Sequence, residues 1–286
     1  AVFTNVYDSW FSEFSDWKQL IEEFFHLSED IKKQYSYSSV ADNLGYNWVE
    51  KERLSPNKPG DLKEAFNWKS PHSMKNQYWP TEIPEFKSLA QKVLRIAQLL
   101  SHEFLYKFEN ILNVPRGKLV EQHIDGSSTI RILHYPPYSG EIKKDQMRIN
   151  EHTDYGSITL LWRFDDVPGL QVFDRGKEEW IDVPMIENSI VLNVGDMLQR
   201  WTNDILKSTP HRVINTEMTR SRYSMPYFVD PGRDVIIDNL TDQTDKYPPI
   251  SANDYLKWRL AQSYTDNNYI ENEDVADEGG KHITNY

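Results

Sequence analysis

The alternation of apolar and polar residues divides the chain into a helical first part and a strand-rich second part. Apolar residues recur at helical spacing from Asp16 to Tyr35 and again from Glu85 to Leu112, which predicts a helix in each range. The second helix carries the longer apolar stripe, made of Phe86, Leu89, Val93, Ile96, Leu100, Phe104, Phe108 and Ile111. Residues 36–84 are polar and contain several Pro and Gly, so they predict loops and irregular structure.

From Ser127 onward the apolar runs are short, and turn residues separate them. Strands are predicted at 128–136, 157–163, 169–174, 179–183, 189–194, 197–201, 208–215 and 222–229. Many short strands at regular spacing are typical of a sandwich or a barrel. Residues 251–264 then predict a short helix, and the acidic residues 265–286 predict a solvated tail.

Length and charge narrow the class of protein. A chain of 286 residues fits a single domain, expected over 1–264, with a helical part at 1–126, a β core at 127–235 and the helix at 251–264. The net charge of −12 argues against a nucleic-acid partner. No apolar run approaches the roughly 20 residues of a membrane span, so no membrane partner is expected. The pattern leaves the oligomeric state open.

The chain contains no cysteine, which excludes disulfides, thiolate metal sites and cysteine nucleophiles. This composition fits a cytoplasmic protein, and no signal peptide is visible at the first residue. We therefore expect a cytoplasmic location.

The tripeptide His152-Thr153-Asp154 places an imidazole and a carboxylate two residues apart. In a β-strand such residues share one face. A third ligand is expected from a later strand, and His211 is the natural candidate. Two His and one carboxylate form the facial set that binds non-haem Fe(II) and leaves coordination positions open.

Two further pairs of residues share strand faces. Arg222 and Ser224 form one pair, and Arg131 and Tyr135 form the other. If these faces line the interior of one barrel, an anion clamp lies beside the metal, because the planar fork of Arg holds a carboxylate through two hydrogen bonds. His134 lies on the face opposite to Arg131 and is expected to be a packed histidine.

The order of these motifs resembles the Fe(II)/2-oxoglutarate-dependent dioxygenases. His211 follows Asp154 by 57 residues (211 − 154), and Arg222 follows His211 by 11 (222 − 211). The surrounding segments agree, namely EHTDYGSITLLW, GLQVF, NVGDMLQRWTND, KSTPHRV and RYSMPYFVDP. They resemble the branch that contains isopenicillin N synthase, and they look most similar to fungal thymine hydroxylases and plant small-molecule oxygenases. The similarity covers roughly residues 40–264. A Gly-Phe-Phe-like segment typical of relatives is not found, so we expect either a longer native N-terminus or a different start in this member.

The resemblance implies a mainly β fold with flanking helices, the double-stranded β-helix or jelly roll. It implies that Fe(II) is bound by His152, Asp154 and His211. It implies that 2-oxoglutarate is held by Arg222, Ser224 and Tyr135.

The same resemblance suggests which residues face the substrate. Arg131 and Phe228 match positions that contact the substrate in relatives. Asn47, Trp48 and Trp68 fall in segments that face the substrate in relatives and are further candidates.

The expected activity is an oxygenase that uses O2 to oxidise an unactivated C–H bond of a small molecule, with release of succinate and CO2. Hydroxylation, desaturation and oxidative cyclisation remain open. One alternative is an Fe(II) oxidase of the same fold that does not use 2-oxoglutarate. A second alternative is a non-catalytic sensor or binding protein that retains the jelly roll.

Overall fold

The computed structural model of the protein describes residues 2–4, 11–36, 44–53, 58–70, 77–124, 126–241 and 246–263. Its helices are α1 (Phe11–His26), α2 (Glu29–Lys33), α3 (Phe86–Leu112), α4 (Val120–His123), α5 (Asp196–Trp201) and α6 (Ala252–Ser263). Its strands are β1 (Val2–Thr4), β2 (Gly45–Asn47), β3 (Glu64–Lys69), β4 (Thr129–Tyr135), β5 (Ile149–His152), β6 (Ile158–Arg163), β7 (Leu170–Asp174), β8 (Glu179–Asp182), β9 (Ser189–Val194), β10 (His211–Val213), β11 (Arg222–Val229), β12 (Ile236–Ile237) and β13 (Ile250–Ser251).

Two antiparallel sheets form the predicted jelly roll. The larger sheet has the strand order β1-β9-β6-β11-β4-β3-β2, and the smaller sheet has the order β5-β10-β7-β8. Strands β12 and β13 form a separate pair beside α6. Helices flank the larger sheet, so the fold class is the mainly β architecture that the sequence predicted.

Strand β11 shows how alternation separates the two faces of the larger sheet. Four of its side chains lie in the core beneath the helices: Tyr223, Met225, Tyr227 and Val229. The alternate side chains line a cavity between the two sheets: Arg222, Ser224, Pro226 and Phe228. The period of two therefore builds a core on one face and a site on the other.

The core on the helix side is rich in aromatic rings. The ring of Trp17 on α1 lies 5.4 Å from that of Trp68 on β3 and 4.9 Å from that of Phe86 on α3. A smaller apolar cluster faces the cavity and contains Ala65, Leu133, Tyr135, Ile149, Leu170 and Val213. Aromatic pairs of this kind add about 0.5–1.5 kcal/mol each beyond the area they bury.

Several elements differ from the sequence prediction. The predicted helix at 16–35 is two helices, α1 and α2, which are separated by Leu27 and Ser28. The sequence predicted that the buried stripe of α3 extends to Ile111, and this is wrong because Ile111 is 68% exposed. The buried face instead ends at Glu109, whose carboxylate accepts backbone hydrogen bonds from the segment that follows α3.

The predicted strand at 197–201 is wrong, since these residues belong to helix α5. Conversely, the region predicted as loops contains β2 and β3, which extend the larger sheet. The short strand β5 was also not predicted as a separate element. The predicted acidic tail lies outside the described residues. No helix among the described residues is long and apolar enough to span a bilayer.

Candidate active site

The predicted metal ligands converge at one point of the cavity between the sheets. One potential ligand atom from each of His152, Asp154 and His211 lies within 4.8 Å of the others. Asp154 Oδ1 is 4.0 Å from His152 Nε2 and 3.8 Å from His211 Nε2. Ligand atoms that each lie about 2 Å from one ion are roughly 3–4 Å apart, so these separations are at the upper end of the range for a shared metal site. The predicted proximity of His211 to the pair His152 and Asp154 is therefore confirmed.

Strand pairing brings the two imidazoles together. His152 ends β5, His211 begins β10, and the two residues face each other directly in the antiparallel pair. Their ring centroids are 4.2 Å apart. Asp154 lies two residues beyond β5, in the turn that leads to β6. The prediction that His152 and Asp154 lie in one strand and share a face through alternation is therefore wrong. His152 is the last residue of β5, and Asp154 lies in the turn that follows.

Backbone carbonyls fix the orientation of both imidazoles. His152 Nδ1 lies 2.8 Å from the Asn150 carbonyl, and His211 Nδ1 lies 3.1 Å from the Thr209 carbonyl. A carbonyl oxygen only accepts hydrogen bonds, so each Nδ1 carries a proton and each Nε2 is the ring nitrogen that faces Asp154. Burial and the neighbouring His211 lower the pKa of His152 to about 3, which keeps that ring neutral.

The carboxylate of Asp154 is held by the opposite wall of the cavity. Asn193 Nδ2 on β9 donates a 2.7 Å hydrogen bond to Oδ2, and Oδ1 faces the two imidazoles. Burial opposes the charged form, but His211, His152, and hydrogen bonds from Asn193 and Thr159 together lower the pKa of Asp154. The candidate donor set therefore comprises two imidazoles and one carboxylate.

The turn that contains Asp154 is attached to the start of helix α5. The Asp196 N–H donates to the Asp154 carbonyl, and the Gly195 N–H donates to the Ser157 carbonyl. A Cβ at position 195 would lie 2.3 Å from the Gly156 carbonyl oxygen, so the close approach requires glycine. The segment NVGDMLQRW thus contains the end of β9 and helix α5, and its residues Gly195 and Asp196 contact the turn that contains Asp154.

A buried arginine lies at another end of the same cavity. Arg222 is 2% exposed, and its Nη1 has no hydrogen-bond partner among the described residues. Its guanidinium lies 4.7 Å from the ring centre of Tyr135, its cross-strand neighbour. Ser224, two residues along β11, also lines the cavity. A buried cation with an unpaired donor fits a carboxylate.

Arg148 supports this end of the cavity from behind. It is 1% exposed, and its guanidinium donates to the backbone carbonyls of Tyr135, Glu217 and Arg220. Burial and the nearby Arg222 lower its pKa. Its Nη donors are directed to backbone carbonyls and its Nε to Met218 Sδ, whereas Arg222 Nη1 has no partner among the described residues.

Besides the triad and Arg222, the cavity has a wall that carries a network of buried charges. Arg131 makes two 2.9 Å hydrogen bonds to the carboxylate of Glu52 and one of 2.9 Å to Asn67 Oδ1. Lys63 Nζ also binds Glu52, at 2.5 Å. Lys63 Nζ also lies 3.9 Å from Asp61 Oδ2. Both Arg131 and Lys63 line the cavity, whereas Glu52 and Asp61 are not among its lining residues.

The other predicted substrate residues have mixed outcomes. Phe228 is half-buried and lines the cavity, as expected for a residue that faces a ligand. Asn47 contacts Glu52 behind the cavity wall, and the Trp48 ring packs beneath Lys33 and Lys51. Trp68 lies in the core on the helix side, so its assignment to the cavity is wrong.

His134 is a packed histidine, as predicted. Its ring stacks on Tyr223 with centroids 4.6 Å apart. Its two nitrogens contact Glu64 Oε1 at 2.7 Å and Ser221 Oγ at 3.0 Å.

Sequence reasoning missed the polar residues that support the site, namely Glu52, Lys63, Asn67, Thr159 and Asn193. Thr159 and Asn193 line the cavity and lie within strands that the sequence predicted, so alternation along those strands was the signal that could have found them. Asn67 lies in the region predicted as loops. Glu52 and Lys63 gave no such signal, since they lie in the region predicted as loops.

Comparisons with known proteins agree with this geometry. The family model described as the 2OG-Fe(II) oxygenase superfamily matches residues 126–231. The model described as non-haem dioxygenase in morphine synthesis N-terminal matches residues 11–86.

Among curated proteins, a 2-oxoglutarate-Fe(II) type oxidoreductase of Emericella nidulans is 30% identical over 264 residues, covering 85% of this chain and 75% of that protein. A proline hydroxylase of Petromyces alliaceus is 32% identical over 263 residues, covering 84% and 82%. Among solved structures, a full-length Neurospora crassa protein in complex with alpha-KG and thymine is similar with a TM-score of 0.76 and 30% identity, covering 86% of this chain and 83% of that chain.

Proposed function

This chain belongs to the 2OG-Fe(II) oxygenase superfamily, and we propose that His152, Asp154 and His211 bind its Fe(II). The chain is a 2-oxoglutarate-dependent dioxygenase that acts on a small molecule, with Fe(II) and 2-oxoglutarate as cofactors. The observation that carries the ligand assignment is the convergence of two imidazoles and one carboxylate within 4.8 Å. This donor set is the one that non-haem Fe(II) oxygenases use.

For the co-substrate, we propose that Arg222 binds the distal carboxylate of 2-oxoglutarate, with Ser224 and Tyr135 beside it. The buried Nη1 of Arg222, which has no partner in the described part of the chain, supports this role. When bound, Fe(II), 2-oxoglutarate and O2 supply the oxidising chemistry for an unactivated C–H bond, with release of succinate and CO2.

The residues of the chain contribute positioning and a dry environment. Leu161, Val172 and Val191 provide apolar walls around the ligand set and limit the access of water. No strong acid or base is required of the protein, because the bound cofactors supply the chemistry.

We propose that the substrate lies between Phe228 and the cationic wall made by Arg131 and Lys63. Phe228 would contact an apolar or planar part of the substrate. The two cations would bind an oxygen acceptor such as a carbonyl or a carboxylate. A small molecule with one polar edge and one apolar part fits this arrangement.

The two alternatives receive less support. The relatives at 30% identity or more that carry 2-oxoglutarate in their names disfavour an oxidase that does not use it. A non-catalytic role is disfavoured because all three proposed metal ligands are present and lie close together. The cytoplasmic location and the lack of a nucleic-acid partner stay predictions from composition.

The assignment is tested by succinate release from purified protein with Fe(II), 2-oxoglutarate and O2. Thymine and proline, which appear in the descriptions of relatives, serve as the first substrate probes. We expect Fe(II)-dependent succinate release by the wild type and none by His211→Ala above the metal-free background. His26→Ala, on the exposed end of α1, is the matched control. Equal release by wild type and His211→Ala would refute the ligand assignment.

A further inference from the structure

The C-terminal helix α6 reaches the turn that carries the proposed metal ligands. Arg259 Nη1 lies 2.9 Å from Asp196 Oδ2, and Arg259 Nη2 donates to Thr153 Oγ1 at 3.3 Å. The guanidinium also lies 4.4 Å from the ring centre of Tyr155. One side chain from the end of the fold therefore contacts the residues on both sides of Asp154.

Asp196 connects this arginine to the ligand itself. Its Oδ2 accepts a 3.0 Å hydrogen bond from Thr153 Oγ1, and its backbone N–H donates a 2.8 Å hydrogen bond to the Asp154 carbonyl. Thr153 and Asp196 are each 4% exposed. A buried carboxylate requires a partner, and Arg259 supplies the charge that keeps Asp196 in place.

We propose that Arg259 is a positioning residue for the metal site, acting through Asp196 and Thr153 to hold Asp154 towards the two imidazoles. This inference rests on the proposed ligand set. Because Arg259 acts through Asp196 and Thr153, its effect is on the geometry and affinity of the metal. Outer hydrogen-bond partners of metal ligands typically change metal affinity 10- to 100-fold.

A purely structural role would give a different result. If Arg259 only docks α6 on the fold, its loss lowers thermal stability but leaves the metal affinity of the folded protein unchanged. The affinity and the visible spectrum of a bound metal therefore separate the two roles.

The experiment is a titration of the full, metal-free chain with Co²⁺, followed by visible absorption. Co²⁺ accepts the same nitrogen and oxygen ligands, and its spectrum reports the coordination geometry. The variants are Arg259→Met and Thr153→Val. The second keeps the ion pair between Arg259 and Asp196 but removes the hydroxyl that links this pair to the ligand turn. Lys257→Met, exposed on the same helix, is the matched control.

We expect Co²⁺ affinity to fall by 10- to 100-fold in Arg259→Met and in Thr153→Val, with a changed spectrum, and to stay at the wild-type value in Lys257→Met. Partial recovery in Arg259→Lys would support the proposal further. Wild-type affinity and spectrum in both Arg259→Met and Thr153→Val would overturn it. If Arg259→Met does not fold, Thr153→Val decides alone. Failure of the wild type to bind Co²⁺ would overturn the ligand set together with this inference.

Discussion

At the scale of single residues, each proposed ligand has a second contact that fixes its orientation. The two imidazoles are held at Nδ1 by backbone carbonyls, and Asp154 is held at Oδ2 by Asn193. These contacts remove rotational freedom before a metal arrives. The affinity of the site therefore depends on residues that never touch the ion.

Asn193→Ala tests this dependence. The change removes the donor to Asp154 Oδ2, so we expect Co²⁺ affinity to fall by about 10- to 100-fold. Isothermal titration of the metal-free protein measures the affinity. Asn110→Ala, on the exposed face of α3, is the control and should bind as the wild type does. Unchanged binding in Asn193→Ala would show that Asp154 needs no such support.

Arg222→Leu tests the proposed carboxylate clamp. Two hydrogen bonds to a charged group contribute about 1.5–3 kcal/mol each, so the KM for 2-oxoglutarate should rise by about 100-fold or more. Arg222→Lys should recover part of the loss, because it restores the charge but not the planar fork. Arg220→Leu, half-exposed nearby, is the control. A wild-type KM in Arg222→Leu would contradict the proposal that Arg222 binds the distal carboxylate of 2-oxoglutarate.

The ligand residues were predictable because their spacing is local or belongs to a motif, as with His152 and Asp154. The supporting residues were not. Glu52 binds Arg131 across 79 positions of sequence, and nothing in the local pattern of either residue indicates the other. Contacts of this kind exist only after the sheets have formed.

At the scale of elements, sequence alternation predicted most of the jelly roll but failed where buried residues are polar. Strand β3 reads EAFNWK, and all six of its residues are buried. Glu64 is hydrogen-bonded to Lys32, Tyr46 and His134, so a charged residue is buried in a segment that the sequence predicted to be irregular. Helix α5 was mistaken for a strand because it is too short to show a helical period.

Trp68→Ala tests the revised orientation of β3. Because Trp68 is 1% exposed in the core on the helix side, we expect the free energy of unfolding to fall by about 3–5 kcal/mol. Urea denaturation measures this loss, and Tyr78→Ala, at a 69% exposed position, should lose little. The affinity of the folded variant for 2-oxoglutarate should not change. A large loss of that affinity in folded Trp68→Ala would contradict the placement of Trp68 outside the cavity.

At the scale of the whole molecule, a buried histidine makes the fold sensitive to acid. His123 is 4% exposed, with Nδ1 2.7 Å from the Leu119 carbonyl and Nε2 2.9 Å from Ser157 Oγ. Burial lowers its pKa to about 4, against about 6.5 in an unfolded chain. Between about pH 6.5 and pH 4, His123 is therefore protonated in the unfolded state and neutral in the folded state.

Stability linked to His123 is thus fully present above about pH 6.5 and is lost as the pH falls towards 4. Since one pKa unit corresponds to about 1.4 kcal/mol, the full effect is roughly 3 kcal/mol. We expect His123→Gln to lose less stability than the wild type between pH 7 and pH 4.5, measured by thermal unfolding of the metal-free protein. The exposed His26→Gln should follow the wild-type curve. Parallel curves for wild type and His123→Gln would contradict this linkage.

Because His152 and His211 are direct partners in the strand pair, metal binding depends on the correct register of β5 and β10. Neighbouring residues of a strand point to opposite faces, so a slip of one position between β5 and β10 would turn one imidazole away from its partner. A chain that pairs these strands wrongly cannot assemble the triad, whereas a correctly paired chain gains binding free energy from the ion. The pair already contains one register shift, between His211 and Val213, and we expect a further one-residue insertion or deletion beside His211 to weaken Co²⁺ binding in a titration.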